Sequence, residues 1–354
     1  MTICIGWTDD RAVYLAADSA VTSNMPLADE YSTFGERHHR QENVSVREGA
    51  LKIMRHQNSA VAFSGDANRG IEIFENFIML SGYFPTREAY ESAWVNAHDS
   101  ANPKNNRALL AYCDLNGPHL IRFDASSTKP GEEIRSACIG NVSSSLAFTF
   151  GEALTHMPSH ITTSMDALIN GVCLLQRFFI FENLMPKHAI GGFVAGCLIN
   201  NDGLMWAADT LHVLTRNGLV DQLSNETLNT IAIFERRDTF FAYNNQVCSY
   251  TGFTTSFGAN SGLGWAEVIS KLQECELLPS DPCKLPIAYI VFHDLTTGFS
   301  TIFNVTEDNN RYLKYRFRED VSRRRDIQFN VYGAGVKILK RSFPQEGVIA
   351  FIGQ

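Results

Sequence analysis

Apolar and polar positions sort the chain into blocks. Residues 2–7 (Thr-Ile-Cys-Ile-Gly-Trp) form an apolar, β-rich run, residues 8–11 a polar turn, and residues 12–17 a second apolar run. Together they predict a hairpin. Residues 24–49 are polar, with Pro26, Gly35 and several charges, and predict a long loop or excursion. A second hairpin is expected from residues 50–55 and 60–63, ended by Ser64-Gly65-Asp66. Residues 71–80 carry apolar positions at helical spacing, and residues 86–98 open with Thr86 followed by Glu88, so two helices follow.

Strand patterns resume at residues 108–113 and 119–123, joined by the turn Asp-Leu-Asn-Gly-Pro, and again at 136–139. Two helices are predicted over residues 144–156 and 165–184, the second stopped by Pro186. Residues 191–199 and 204–208, separated by Asn-Asn-Asp-Gly, form the next hairpin. Blocks of strands thus alternate with paired helices, and the turns favour antiparallel pairing. The fold class expected is α+β, a four-layer αββα sandwich of two mostly antiparallel sheets covered by helices on both outer faces. A doubly wound parallel sheet fits less well, because no G-x-G-x-x-G follows a strand. From about residue 216 strands dominate (230–235, 239–243, 285–292, 298–305), with one helix expected near 264–275. The domain reading is a core over residues 2–215 and a β-rich C-terminal extension over residues 216–354.

The 354 residues, 45% hydrophobic and 19% charged, are enough for a large core. With 30 basic against 38 acidic residues, the net charge of −8 offers no electrostatic reason to expect nucleic acid or an anionic membrane surface. Eight scattered cysteines include no C-x-x-C pair and read as reduced, packed thiols. No basic n-region precedes the first apolar run, which meets Asp9 and Asp10 early, so a signal peptide is not expected and the setting read from the sequence is cytoplasmic. His38, His39 and His56 have no carboxylate or cysteine at ligand spacing, so no metal is expected, and nucleophile chemistry at Thr2 would need no organic cofactor.

Thr2 directly follows Met1. Removal of that methionine would leave a hydroxyl and a free α-amine on one residue, the nucleophile and base of an N-terminal-nucleophile hydrolase. An α-amine with a reference pKa of about 7.7–8.0 is partly neutral at physiological pH and suits that role. Cys4 lies two residues too late to use the same amine and reads as a core residue.

Thr2-Ile-Cys-Ile-Gly-Trp, followed by Ala12-Val-Tyr-Leu-Ala-Ala-Asp-Ser-Ala-Val-Thr22, closely resembles the start of proteasome β-subunits and their bacterial relatives. In that family a catalytic threonine opens the first strand, an aspartate ends the second, and a lysine starts a later one as Lys-Ile or Lys-Val. The resemblance maps these roles onto Thr2, Asp18 and Lys52 (in Lys52-Ile53), with Thr22 contacting substrate backbone and the Gly65 N–H serving the oxyanion. Lys52 would stabilise the deprotonated hydroxyl, and Asp18 would fix and charge-balance Lys52. The resemblance spans residues 2–214, is specific in the first 65, and implies the N-terminal-nucleophile hydrolase fold.

Two departures stand out. The family's supporting serine follows a glycine, but here Gly140 precedes Asn141, and Asn141 or Ser143 would substitute as the hydrogen-bonding group. The family's Asp-x-x-Ser-Gly maps near Lys187-His188-Ala189-Ile190-Gly191, where aspartate and serine are both missing. The leading expectation is a threonine hydrolase acting on peptides or other amides. A proteasome-like scaffold without turnover and a small-amide acylase remain the alternatives. The resemblance also implies a homo-oligomer, and leaves open whether an ATPase regulates it.

Overall fold

The structure is a computed structural model describing residues 2–23, 32–34, 39–41, 44–82, 86–98, 106–124, 131–140, 154, 163–182, 190–215, 227–236, 239–244, 249–253, 270, 273–274, 287–295, 299–305, 313–319, 325–331 and 336–342. The chain divides into two compact units, Met1–Ala207 and Ala208–Gln354.

In the first unit the apolar run after Thr2 becomes β1 (Ile3–Thr8), which turns back at Asp9 into β2 (Val13–Asp18). The Asp9 carboxylate accepts from the Arg11 and Ala12 amides at 2.9 and 3.0 Å, closing that turn. β3 (Ala20–Ser23), β4 (His39–Gln41) and β5 (Val44–Glu48) form a small antiparallel sheet ordered β3-β5-β4. The segment expected as a loop therefore contains two strands. Its charges mask an alternation in which Val44 and Val46 are interleaved with Ser45 and Arg47, a pattern that suits an edge ladder.

β6 (Ile53–His56) and β7 (Ser59–Ser64) make the expected second hairpin. α1 (Ala67–Ser81) begins earlier than its apolar spacing suggests, because the Asp66 side chain caps it by accepting from the Arg69 amide at 3.1 Å. α2 (Arg87–His98) follows, and the Thr86 hydroxyl accepts from the Ala89 amide at its start. β8 (Arg107–Asp114), β9 (Gly117–Asp124), β10 (Glu132–Glu133) and β11 (Ser136–Gly140) precede α3 (Ser164–Glu182). β12 (Val194–Asn200) and β13 (Gly203–Trp206) complete the unit. The helix expected over residues 144–156 lies outside the described residues, apart from helical Leu154.

Two antiparallel five-stranded sheets result, ordered β11-β1-β2-β12-β13 and β10-β9-β8-β7-β6, and they contact each other. Period-two alternation sends Ile3, Ile5 and Trp7 to one face of β1, where they pack with Leu168, Val172, Leu175 and Phe179 of α3. By length and composition α3 could cross a membrane, but its apolar stripe is spent on this core. Gly6 lies on the other face of β1. A Cβ there would come within 2.8 Å of Leu120 on the second sheet, so glycine allows the sheets to approach. Phe74, Phe77, Tyr90 and Trp94 of the first two helices pack on Val61, Leu110, Ile121 and Phe123 of the second sheet.

The second unit is built on a seven-stranded sheet. Its strands are β14 (Thr210–Thr215), β15 (Thr227–Arg236), β16 (Thr239–Asn244), β17 (Ser249–Phe253), β18 (Tyr289–Asp294), β19 (Phe299–Val305) and, after the separate hairpin β20 (Leu313–Glu319) and β21 (Arg325–Val331), β22 (Val336–Ser342). The order is β17-β16-β15-β14-β18-β19-β22, antiparallel except for the parallel pair β14–β18. β14 therefore pairs within the second unit. The division falls at Ala207/Ala208, eight residues before the boundary expected at 215/216. The helix expected near 264–275 falls largely outside the described residues.

Candidate active site at the start of the first strand

Thr2 sits just before β1 and is 8% exposed. Its surroundings are assembled by strand pairing. β11 runs antiparallel to β1 with Gly140 opposite Ile3. Gly140 has φ +119°, and a Cβ on it would stand 1.8 Å from the Thr2 carbonyl oxygen. Only glycine lets this strand reach the Thr2 backbone.

Asp18, the last residue of β2, is fully buried and accepts four donors. Its Oδ1 takes the Ile3 amide at 3.0 Å and the Lys52 ammonium at 2.5 Å. Its Oδ2 takes the Ala20 amide at 3.3 Å and the Gly191 amide at 3.2 Å. One carboxylate oxygen thus joins the Lys52 Nζ to the peptide N–H that follows Thr2. Lys52 is itself 5% exposed, and its carbonyl accepts from the Phe63 amide at 3.4 Å, which ties it to β7. A buried ammonium needs a counter-charge of this kind, and a buried carboxylate needs its lone pairs filled. Both conditions are met.

The structure brings Asp18 and Lys52 together and joins Asp18 to the amide of Ile3, the residue after Thr2. Gly65 follows β7 with φ +113°, exposed, immediately before the α1 cap Asp66. It lies two residues beyond Phe63, whose carbonyl accepts from the Cys4 thiol at 3.5 Å. Thr22 is exposed on β3 opposite Val46 of β5. Asn141 and Ser143 lie outside the described residues. Burial pushes the Cys4 thiol far above its ordinary value, with the nearby Lys52 charge opposing only in part. Cys4 therefore remains a protonated core thiol.

Three residues around this site, Glu48, Gln176 and Gly192, carry no sequence signal of their own. Glu48, at the end of β5, accepts from Ser19 Oγ at 3.1 Å, from the Thr33 amide and hydroxyl at 2.7 and 2.6 Å, and from the Phe193 amide at 2.5 Å. Gln176 of α3 donates to the Gly192 carbonyl at 3.0 Å and accepts from the Val194 amide at 2.9 Å. Gly192, at φ +81°, has room only for a hydrogen, since a Cβ would lie 2.3 Å from Ser19 Oγ. A terminal strand glutamate, a glutamine inside an apolar helix and a Gly-Gly pair are each ordinary in isolation; only their convergence is informative.

No three His, Cys, Asp or Glu side chains among the described residues are grouped to hold a metal ion. His56 shares a hydrogen bond with Ser81 Oγ at 2.9 Å, and His39 lies on β4. Among known proteins, no family model and no curated relative matches the chain.

Proposed function

We propose that the first unit is a threonine-type N-terminal-nucleophile hydrolase, a four-layer αββα sandwich of the proteasome β-subunit-like kind, which cleaves peptide or other amide bonds. The observation that carries this reading is the buried Asp18 carboxylate holding the Lys52 ammonium against the amide that follows Thr2. An ammonium paired with a buried carboxylate beside the first strand has an electrostatic use there: it would stabilise negative charge developing on the Thr2 hydroxyl.

With Met1 removed, the Thr2 amine takes the hydroxyl proton as Oγ attacks the substrate carbonyl. The resulting oxyanion is assigned to the Gly65 N–H. Collapse of the tetrahedral intermediate expels the amine product, which receives the proton held by the Thr2 amine, and leaves an ester on Oγ. Water, deprotonated by the same amine, then hydrolyses that ester.

Intact-mass measurement combined with labelling by a peptidyl epoxyketone or β-lactone tests the reading. The expected result is a chain lacking Met1 that gains one probe mass, with no gain in Thr2→Ala. Correctly processed protein without any Thr2-dependent adduct would overturn it. The missing Asp and Ser at residues 187–190 favour a second reading, a scaffold with the same fold and no turnover. Retention of Met1 in the mature chain is the outcome specific to that reading.

A further inference from the structure

We propose that Glu48 is a positioning residue of the Thr2 site, acting through the turn at residues 191–194 and Asp18 on the Lys52 ammonium; this rests on the hydrolase reading above. Buried backbone groups need partners, and in this turn four of them are claimed by side chains from three separate elements. The Gly191 amide goes to Asp18, the Gly192 carbonyl and Val194 amide to Gln176, and the Phe193 amide to Glu48. Asp18 and Glu48 therefore hold the two ends of one tripeptide.

Glu48 is also joined to Asp18 by a shorter path. Its Oε1 accepts from Ser19 Oγ, the residue after Asp18, and the Ser19 carbonyl accepts from the Gly49 and Ala50 amides at 3.0 and 3.2 Å. The other carboxylate oxygen takes both donors of Thr33, so Glu48 has contacts on both oxygens that restrict its rotation. Gly192 completes the arrangement, since its missing Cβ leaves the space in which Ser19 Oγ and Glu48 Oε1 meet. Loss of the Glu48 grip on the Phe193 amide would let the turn move and withdraw the Gly191 amide from Asp18 Oδ2. The carboxylate that orients Lys52 would then be held by fewer donors. The hydrogen bonds of Glu48 in this network run to Ser19, Thr33 and Phe193 and not to Lys52 or Thr2, so its effect is one of orientation.

The test uses the full-length processed protein and a β-lactone probe, read as the maximal rate of Thr2 adduct formation and the half-saturating probe concentration. In Glu48→Gln the maximal rate is expected to fall on the order of tenfold to a hundredfold, the loss that small misplacement of reacting groups brings. The half-saturating concentration should stay the same, and Glu48→Asp should recover part of the rate. Should Glu48→Gln fail to fold, Thr33→Val, which removes one donor to Glu48, carries the test with a several-fold smaller maximal rate expected. Thr2 labelling at the wild-type rate in the folded variant overturns the role of Glu48 and leaves the hydrolase reading standing. Wild-type protein that forms no Thr2 adduct overturns both.

Discussion

Burying Asp18 and Lys52 is costly for each residue alone, and the pair is stable because each supplies what the other lacks. The ammonium and carboxylate meet at 2.5 Å, 5% and 0% exposed at their side chains, and backbone amides fill the remaining lone pairs of Asp18. Breaking one partner of such a pair leaves an unpaired buried charge and costs about 3–5 kcal/mol, whereas removing both charges costs much less. Lys52→Met is therefore expected to lower unfolding stability by that amount in urea titrations, and Asp18→Asn combined with Lys52→Met to recover much of it. A Lys52→Met loss under about 1 kcal/mol, the range of an exposed pair, would contradict the burial described. A second residue-scale consequence lies in the other unit. His212 of β14 shares a hydrogen bond with His293 of β18 at 3.0 Å, and His293 shares another with Ser300 Oγ at 2.7 Å. Burial pushes the His212 imidazole down from 6.5 to about 3. Below pH 6.5 the unfolded chain takes up a proton that the folded one refuses. The His212 contribution to stability is thus complete above pH 6.5 and is lost as pH falls toward 3, at up to about 1.4 kcal/mol per pH unit. In NMR titrations the His212 ring should remain neutral at pH 5; a midpoint near 6.5 would rule this out.

Among the elements, β11 decides how closely the rest of the sheet can surround Thr2. Its pairing with β1 ends at Gly140 opposite Ile3, where positive φ and the 1.8 Å that would separate an added Cβ from the Thr2 carbonyl oxygen both demand glycine. Gly140→Ala is expected to cost at least about 1–3 kcal/mol through backbone strain alone, and to abolish Thr2 labelling by displacing the strand end. Normal labelling with an unchanged melting temperature would show that β11 does not pack as described. The elements also show what local pattern conveys. The apolar runs of β1, β2, β7 and β12 are nearly continuous because these strands are buried on both faces, and their hairpins follow from the sequence. Charge obscures the short strands inside the segment expected as a loop, where β5 pairs with the distant β3 on one side and with β4 on the other. The apolar stripe does not mark the start of α1, because the cap Asp66 precedes that stripe.

At the scale of the molecule, each unit is expected to keep its own core. β14 supplies Leu211 and Val213 to a cluster with Phe234, Phe241 and Ile290, all within the second unit. A chain ending at Ala207 should therefore unfold cooperatively in urea and keep Thr2 labelling. A chain ending at Thr215 carries a strand whose partners β15 and β18 are gone, exposing apolar side chains on an unpaired edge. That longer fragment should aggregate more readily by light scattering; equal behaviour of the two fragments would argue against the division at Ala207.

What the sequence determined by itself is local: the strand and helix periods, the turns between hairpins, and the candidate residues Thr2, Asp18 and Lys52 in their family-like order. The periods and turns are legible because they depend on near neighbours, whereas the candidate residues rest on the family resemblance. Tertiary structure alone decided that the Ile3 amide, the Lys52 ammonium and the Gly191 amide share one carboxylate. It alone placed β14 with β18 in parallel, and closed the turn at residues 191–194 with Glu48 and Gln176. The physical reason is the same in each case: these contacts join segments far apart in the chain, and a buried group's choice of partner depends on geometry that no single segment encodes.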